Sequence, residues 1–442
     1  MISRSCHRAP WTDVSHAEQL ERSLVGRAVK VCDLFFRVPA APRPGVDPAV
    51  LPDPSARIAA LDILRGFALL GMIVVHFHQR FRLSTPDTAR AFGESWVGWI
   101  IWVGIEEKAW ATFAFLFGVG FAVLLRRAER AGRPIVALYL RRLAALAVIA
   151  IALQVFTGFT ILLDYALWGV PLLFMRRWPT KILLTIAVVS AAAWTFQPLW
   201  MSIHAWITLG REGADLWVAS ITHAARPAIV PPASYSDVVL RRLEAMPRTY
   251  LTWRVLIPQS SFALFIVGLL SVRHGIFDEP RRHIRLIVTW MAIGLASWIV
   301  SWLVLPYVPT EFAPQAVGAL LHSGLGVISE QWLAFTYIGA LVLLLAFRPS
   351  WAGRLAWMGL AGRMALTNYV LQCAVIELLS SPFGLGLHLR PYLYLLAAVV
   401  LFLIEAGLSA LWMARLRYGP LEWIWRAVTY LRVPALARPS SR

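Results

Sequence analysis

Long apolar stretches recur along the chain, and short polar breaks separate them. A helix rises about 1.5 Å per residue, so roughly 20 apolar residues cross the hydrocarbon core of a bilayer. The pattern therefore predicts an all-α fold, a polytopic transmembrane helical bundle with about ten spanning helices. The predicted spans are 58–79, 97–125, 143–158, 159–175, 182–202, 255–273, 286–306, 331–347, 364–383 and 391–414.

The third and fourth predicted spans are short and almost continuous, and Gly158 is the obvious turn between them. Two interpretations fit this pattern. Either the chain crosses the membrane twice between 143 and 175, or one long tilted helix is followed by a re-entrant piece.

Composition agrees with a bilayer as the solvent, because 59% of the residues are hydrophobic, 15% are charged and the mean hydropathy is +0.64. We predict one transmembrane domain, 58–430, and a cytoplasmic tail, 431–442. Residues 1–57 contain prolines and charges but neither a long apolar run nor a secretory signal pattern. They are expected to form a poorly ordered cytoplasmic extension, and a misassigned start codon explains them equally well.

The net charge of +18 is explained by topology rather than by nucleic acid, because the basic residues lie between apolar segments. Cytoplasmic loops are enriched in lysine and arginine, and most of these residues fall on the side that includes both termini. Both termini are therefore expected in the cytoplasm, in a multi-pass protein of the bacterial cytoplasmic membrane whose main partner is the lipid bilayer. The loop at 203–254 is expected outside, where it is a candidate cover for a pocket opening.

The sequence contains none of the motifs expected for several common kinds of site. The three cysteines, Cys6, Cys32 and Cys373, form no C-x-x-C pair and no metal-binding pattern. The phosphate-loop motif, H-E-x-x-H and G-x-S-x-G are missing from the sequence. We therefore predict no metal site and no permanently bound cofactor.

The first span, RIAALDILRGFALLGMIVVHFHQRF, contains Asp62, Arg65 and His76 in apolar surroundings, where ionisable groups are costly and often functional. Asp62 and Arg65 are three residues apart and share a helix face, so they can form a pair. Eleven residues from Arg65 to His76 make about three turns, which brings both to nearly the same face, roughly 16 Å apart along the axis. A shared role therefore requires a long ligand.

We predict that Arg65 holds an anionic or phosphate group and that His76 acts as a general base. A second interpretation explains these residues equally well. In it, Asp62 and Arg65 form a structural pair and His76 is an interfacial residue at a helix end.

Two further candidates for substrate binding, besides Arg65 and Asp62, are Lys108 and Asn368. Lys108 can bind a substrate anion, or its side chain can extend to the membrane interface. Asn368 and Gln372 are four residues apart and can bond to a neighbouring helix as interhelical glue. Glu377 and Glu405 are less specific candidates for a proton relay.

Three segments together resemble the YeiB-like family of bacterial membrane proteins: LDILRGFALLGMIVV, GRMALTNYVLQ and YGPLEWIWRAVTY. The resemblance implies a membrane location and extends over nearly the whole chain after residue 57. The first helix also looks like that of membrane-bound acyltransferases of the third family, which carries an arginine and, after ten intervening residues, a catalytic histidine. Arg65 and His76 match that spacing, although YeiB-like proteins usually have asparagine at the position of His76.

The leading hypothesis is a membrane-embedded acyltransferase. It would pass an acyl group from a cytoplasmic thioester such as acyl-CoA to an envelope sugar or lipid hydroxyl. One alternative is a transporter of a small metabolite or lipid precursor, for which intramembrane charges also provide a path. Another is a non-catalytic membrane assembly protein, in which the polar residues only hold helices together.

Overall fold

A computed structural model provides the structure of the chain. The described residues are 59–82, 95–132, 134–158, 160–222, 233–250, 260–304, 307 and 315–437. Within these ranges the chain forms helices and turns, and its β contact is one isolated bridge between Leu416 and Ala437. The predicted extension at 1–57 lies outside the described residues.

Fifteen α-helices are described, and a π-helical segment, Trp102–Glu106, joins the second to the third. The α-helices are α1 (Ala59–Arg82), α2 (Ser95–Ile101), α3 (Glu107–Arg130), α4 (Ile135–Thr157), α5 (Leu162–Met175), α6 (Thr180–Thr222), α7 (Tyr235–Tyr250), α8 (Ser260–Arg273), α9 (Ile284–Val304), α10 (Gln315–Phe347), α11 (Ser350–Arg354), α12 (Ala356–Arg363), α13 (Ala365–Ser380), α14 (Pro391–Arg415) and α15 (Pro420–Tyr430).

Several helical segments are long and apolar enough to cross a membrane, which makes this a multi-pass membrane protein. Six segments of the described chain meet that criterion: Ala59–Phe81, Trp96–Arg130, Ile135–Thr157, Ile284–Val304, Ser329–Phe347 and Pro391–Arg415. The other four predicted spans coincide with shorter apolar helices: Leu162–Met175, Thr180–Ala193, Ser260–Arg273 and Ala365–Ser380. A total of ten crossings and the cytoplasmic placement of both termini stay predictions.

The structure bears on two expectations about the segments that connect the predicted spans. The helix α4 ends at Thr157, and Gly158 follows with a positive φ of 81° that favours glycine. The 23-residue α4 and the 14-residue α5 fit either interpretation, so the choice between two crossings and one long helix with a re-entrant piece stays a prediction. The predicted loop at 203–254 is wrong for its described part, because α6 continues to Thr222 with an interruption at Gly210, and α7 follows.

The helical nature of α7 was hidden by its charges and by Pro247. Tyr235, Arg242 and Met246 recur at helical spacing, and they form the side that faces the rest of the bundle. The remaining face is rich in exposed side chains, so the average polarity of the segment resembles that of a loop. Helix periodicity was the better signal here.

Helix α1 packs against α3, α12, α13 and α14 near the centre of the bundle. Two glycines allow its backbone to touch that of α12. A Cβ on Gly66 would lie 2.1 Å from the carbonyl oxygen of Met358, and one on Gly362 would lie 2.0 Å from that of Asp62. Small residues at helix contacts are the usual means of close packing in membranes. This contact fixes the first turns of α1, including Arg65.

The bundle has two ends, which we name after residues of α1. The Arg65 end contains the start of α1 and the start of α4, and the Arg80 end contains the last turn of α1 and the end of α13. Helix α14 runs in the opposite direction, because Tyr394 near its start contacts His78. In the predicted topology the Arg65 end faces the cytoplasm.

A pair of glycines in α3 provides a test of this packing. A Cβ on Gly118 would lie 2.0 Å from the carbonyl oxygen of Phe265, whereas one on Gly120 would meet nothing within 4 Å. We expect Gly118→Ala to lower the melting temperature in detergent, since overpacking costs about 1–3 kcal/mol or more. Gly120→Ala should be neutral or stabilising by up to about 1 kcal/mol. Equal melting temperatures for the two variants would contradict this packing.

Candidate functional site

The predicted pair at the start of α1 is formed. The guanidinium of Arg65 donates to the carboxylate of Asp62 across 2.8 Å. Asp62 is buried, while the side chain of Arg65 keeps 28% of its surface exposed. Arg65 is therefore held by Asp62 and remains partly accessible at the Arg65 end.

Two more arginines join Arg65 to form what we call the arginine cluster: Arg65, Arg142 and Arg426. The charges of Arg426 and Arg65 each repel that of Arg142. Its guanidinium also lies over the indole ring of Trp425, 3.6 Å from the centroid. The Trp425 ring nitrogen donates to the Arg142 carbonyl oxygen across 2.8 Å, so α15 and α4 are held together. The cluster concentrates positive charge at a partly open position.

The helix α15 is fixed in place by Glu422. Its carboxylate accepts hydrogen bonds from the backbone N–H of Leu366 (2.7 Å), the N–H of Thr367 (3.1 Å) and the Thr367 hydroxyl (2.6 Å). These donors belong to the first turn of α13, whose N–H groups lack partners within the helix. Burial raises the pKa of Glu422, and the hydrogen bonds oppose that shift. The cap thereby fixes the helix that carries Trp425 and Arg426.

His76 lies inside the bundle and is 5% exposed. Its ring makes an edge contact with the ring of Tyr369 in α13, with centroids 5.5 Å apart. The Tyr369 hydroxyl in turn accepts a hydrogen bond from the N–H of Ile161 at 3.3 Å. His76 is therefore not at a helix end, because the helix continues to Arg82 and neighbouring helices cover the ring, while its depth relative to the membrane interface stays a prediction.

Arg65 and His76 are on one unbroken helix, so their separation along the axis remains roughly 16 Å. Leu69 and Met72 lie between them on α1, and both are buried. A ligand that reaches from the arginine cluster to His76 must therefore be long, and it must displace these side chains.

Lys108 is enclosed rather than interfacial. Its side chain is 1% exposed, its ammonium forms an ion pair with Glu330 in α10, and it donates to the carbonyl oxygen of Trp102 across 3.2 Å. Glu330 also accepts a hydrogen bond from the Trp298 ring nitrogen at 3.2 Å. The interpretation as a lysine that extends to the interface is wrong, and the charge of Lys108 is balanced inside the bundle.

Asn368 and Gln372 hold helices together, as predicted for interhelical glue. The Asn368 side-chain amide donates to the Ala361 carbonyl oxygen (3.1 Å) and to the Ser409 hydroxyl (3.0 Å). Gln372 donates to Glu405 at 2.7 Å. These contacts join α13 to α12 and α14. A substrate-binding role for Asn368 stays a prediction.

A second charged group lies at the Arg80 end, and two of its members, Arg80 and Arg242, were not predicted as site residues from the sequence. One carboxylate oxygen of Glu377 bonds to Arg80, and the other accepts from Arg242 at 2.9 Å. Arg80 also donates to the Ser380 hydroxyl at 3.0 Å. Arg80 directly follows the first predicted span, 58–79, and Arg242 is within the predicted loop 203–254. We call Arg80, Glu377 and Arg242 the outer triad.

A cavity of about 280 Å³ opens beside the outer triad. Its walls are mainly apolar, and Glu377 contributes charge. The lining residues are Phe156, Thr157, Tyr235, Ala374, Glu377, Leu378, Ser381, Phe383 and Gly384. Among the described residues there is no group of three or more histidine, cysteine, aspartate or glutamate side chains arranged for a metal ion.

Comparison with known families divides the chain into two matched parts. A family model described as "Heparan-alpha-glucosaminide N-acetyltransferase, catalytic" matches residues 57–224. A second, described as "Protein of unknown function (DUF418)", matches residues 271–432. The first part contains Arg65, His76 and Arg142, and the second contains Asn368, Glu377 and Arg426. The matched sequence is therefore acyltransferase-like in its first part.

Similar proteins occur in bacteria. The uncharacterized protein YxaH of Bacillus subtilis is 30% identical over 410 residues, which cover 86% of this chain and 96% of YxaH. An uncharacterized 39.9 kDa protein of Bacillus acidopullulyticus is 28% identical over 394 residues, covering 88% of this chain and 97% of that protein. YeiB of Escherichia coli is 36% identical over 80 residues, 18% of this chain and 21% of YeiB. No solved structure matches the chain.

Proposed function

Because this chain belongs to the bacterial DUF418 family and its first part is acyltransferase-like, we propose that it is a membrane-embedded acyltransferase. Its donor is a cytoplasmic acyl thioester such as acyl-CoA, and its acceptor is a hydroxyl of an envelope sugar or lipid. The arginine cluster is the observation that carries the donor assignment.

The arginine cluster suits a donor that bears phosphates. Asp62 pairs with Arg65, and the charges of Arg65 and Arg426 both act on Arg142. Arginine presents forked donors that match phosphate oxygens. Trp425, whose ring packs against the Arg142 guanidinium, adds an aromatic side chain of the kind on which nucleotide bases stack. These features favour a nucleotide-linked thioester over a simple inorganic anion.

The distance from the arginine cluster to His76 suits the same donor. An acyl-CoA carries its thioester at the end of a long, thin arm, remote from its phosphates. Such an arm spans the roughly 16 Å between Arg65 and His76 when Leu69 and Met72 move aside. Binding therefore requires a seam along α1 to open, which is a common feature of enzymes that exclude water from the reaction.

His76 is the proposed general base. It takes the proton from the acceptor hydroxyl while the hydroxyl oxygen forms a bond to the thioester carbonyl carbon. The carbon–sulfur bond then breaks, and the leaving thiolate receives the proton from His76. The products are an ester and a free thiol, and the imidazole returns to its initial state.

Transport is the second candidate function, and the pairing of the intramembrane charges counts against it. Of the intramembrane charges that suggested a path, Glu377 is paired with arginines and Glu405 with Gln372. Such pairs hold a bundle together, whereas a carrier changes its charge partners during a cycle. A transporter would leave the thioester intact, and an assembly protein would tolerate loss of His76.

Donor binding is the direct test of the proposal. We expect purified protein in detergent to bind acetyl-CoA or a longer acyl-CoA saturably in calorimetry. Arg65→Gln and Arg426→Gln should each weaken binding about ten-fold or more, since hydrogen bonds to charged groups contribute about 1.5–3 kcal/mol. Glutamine is chosen at Arg65 because its amide can still donate to the buried Asp62.

Arg177→Gln is the matched control, because Arg177 is exposed in the turn after α5 and the substitution makes the same change of net charge. Its affinity for the donor should equal that of the wild type. Absence of donor binding by folded wild-type protein would overturn the proposal. If all three substitutions weaken donor binding equally, the loss is a general effect of net charge, and the arginine cluster is not a specific donor site.

A further inference from the structure

Helix α15 follows closely after a helix that is long and apolar enough to span the membrane. That helix, α14, ends at Arg415, and α15 begins at Pro420. The ring nitrogen of Trp412, in the last turn of α14, donates to the carbonyl oxygen of Tyr418 in the connection across 2.9 Å. Because the connection is short and is held to α14, α15 lies near the depth at which α14 leaves the hydrocarbon core.

Helix α15 is joined to a different helix at each of its ends. Near its start, Glu422 accepts the hydrogen bonds of the first turn of α13. Near its end, the carbonyl oxygen of Thr429 accepts a hydrogen bond from the Arg141 side chain of α4 at 3.1 Å. Helix α15 therefore crosses the Arg65 end of the bundle from α13 to α4 instead of continuing α14.

One side of α15 carries exposed apolar side chains. Leu421 and Trp425 pack against the core of the bundle. Ile424, Val428 and Leu431, which directly follows the helix, are 46%, 44% and 59% exposed. Their spacings of four and three residues bring them to one side of the helix, and we call them the apolar stripe. Water solvates such a stripe poorly, whereas the boundary between headgroups and acyl chains of a bilayer accepts it.

Arginines lie at both ends of the apolar stripe. The segment from Arg415 to Arg432 contains four arginines and one acidic residue, Glu422, whose carboxylate is bound to α13. Arg415 and Arg432 are exposed, and within the described part of the chain neither is paired with an acid. Their charges are therefore open to an anionic group. In the predicted topology this end faces the cytoplasm, and the cytoplasmic leaflet has a negative surface potential.

We propose that the apolar stripe of α15 inserts into the surface of the leaflet at the Arg65 end, and that Arg415 and Arg432 bind anionic phospholipid there. The apolar side chains enter the boundary between headgroups and acyl chains, while the guanidiniums contact phosphates. Three side chains are too few to bury the roughly 800 Å² that each partner contributes to a stable protein interface. The inference goes beyond the proposed acyltransferase function and does not depend on it.

The depth of the apolar stripe is the first test. Cys6 and Cys32 are replaced by serine, and the buried Cys373 is kept. A nitroxide is attached at Val428→Cys in the full chain, in vesicles of phosphatidylcholine and phosphatidylglycerol. Electron paramagnetic resonance then measures collisions of the label with oxygen and with a water-soluble nickel chelate. We expect the label to lie about 5–10 Å into the boundary between headgroups and acyl chains.

Two labels at other positions provide the references. Glu279→Cys, in the exposed turn after α8, is the reference for water, and Leu408→Cys, exposed on the apolar helix α14, is the reference for hydrocarbon. The label at Val428 should collide with oxygen nearly as often as the label at Leu408. Collisions with the nickel chelate as frequent as those of the label at Glu279 would overturn the inference. Spin–spin broadening, which indicates a second copy, or exclusion of both reagents, which indicates a protein cover, would also overturn it.

The preference for anionic lipid is the second test. The full chain, depleted of lipid in detergent, is titrated with phosphatidylglycerol and with phosphatidylcholine of the same chains, and binding is followed by native mass spectrometry. We expect phosphatidylglycerol to bind about ten-fold or more tightly, the effect of two basic residues near an anionic surface. Equal affinity for the two lipids would contradict the role of the arginines.

A pair of double variants locates this preference. Arg415→Gln with Arg432→Gln should remove most of the difference between the two lipids. Arg126→Gln with Arg282→Gln is the matched control, because it makes the same change of net charge at two arginines that are already paired with acids. The control should keep the wild-type preference. Equal losses in both double variants would overturn the assignment of the lipid contact to α15 and its flanking arginines.

Discussion

Replacement of His76 by glutamine is expected to reduce acyl transfer about 10²- to 10⁴-fold, the usual contribution of a positioned general base. Glutamine occupies a similar volume and remains a hydrogen-bonding group, but it cannot accept a proton from a hydroxyl. The contact with Tyr369 is inside the bundle and remote from the arginine cluster. Acyl-CoA affinity should therefore equal that of the wild type, which separates loss of chemistry from loss of binding.

The measurement is release of free thiol from acyl-CoA in proteoliposomes, followed with a thiol reagent. His78→Gln is the matched control. His78 is also buried on α1, its Nδ1 is 2.7 Å from the Tyr394 hydroxyl, and a glutamine side chain can keep that hydrogen bond. Equal losses in both variants would assign the effect to packing of α1. Full turnover by His76→Gln would remove His76 from the mechanism and favour an assembly role or another base.

The helices could be predicted from the sequence because hydropathy and length decide them locally. Predicted spans 286–306 and 391–414 correspond to Ile284–Val304 and Pro391–Arg415. The turn at Gly158 was also visible, since a residue with a positive φ is usually glycine. Helix α7 was not predicted because its polar face makes the whole segment polar on average. Only the spacing of its inward-facing residues indicated a helix.

The site could be predicted only within one helix. Asp62 and Arg65 pair because they are three residues apart, and this is a local property. Arg142 and Arg426 come from α4 and α15, and no pattern within either segment indicates that they approach Arg65. In the sequence their charge was explained fully by membrane topology. Tertiary packing gives these arginines the additional neighbours.

The surroundings of Lys108 also could not be predicted from its own segment. A lysine near the end of a predicted span suggested either a substrate anion or extension to the interface. The structure instead provides an internal counterion, Glu330, on a helix distant in sequence. Because both members are almost completely buried, their charges depend on each other. Removal of one should therefore have a much larger effect than removal of both.

We expect Lys108→Met to destabilise the bundle by about 3–5 kcal/mol, because it leaves the carboxylate of Glu330 buried without its counterion. The double variant Lys108→Met with Glu330→Gln should recover most of this loss, since both charges are then absent. A glutamine carbonyl can still accept the hydrogen bond from Trp298. Melting temperature and the yield of monodisperse protein in gel filtration provide the measurement.

The double variant also separates structure from substrate binding at Lys108. If the lysine serves only its internal partner, the rescued protein should bind acyl-CoA as the wild type does. If it binds a substrate anion, stability should return while affinity for acyl-CoA stays low. A single variant cannot distinguish these cases, because unfolding abolishes binding in both. A double variant no more stable than Lys108→Met would contradict the paired charges as the source of the cost.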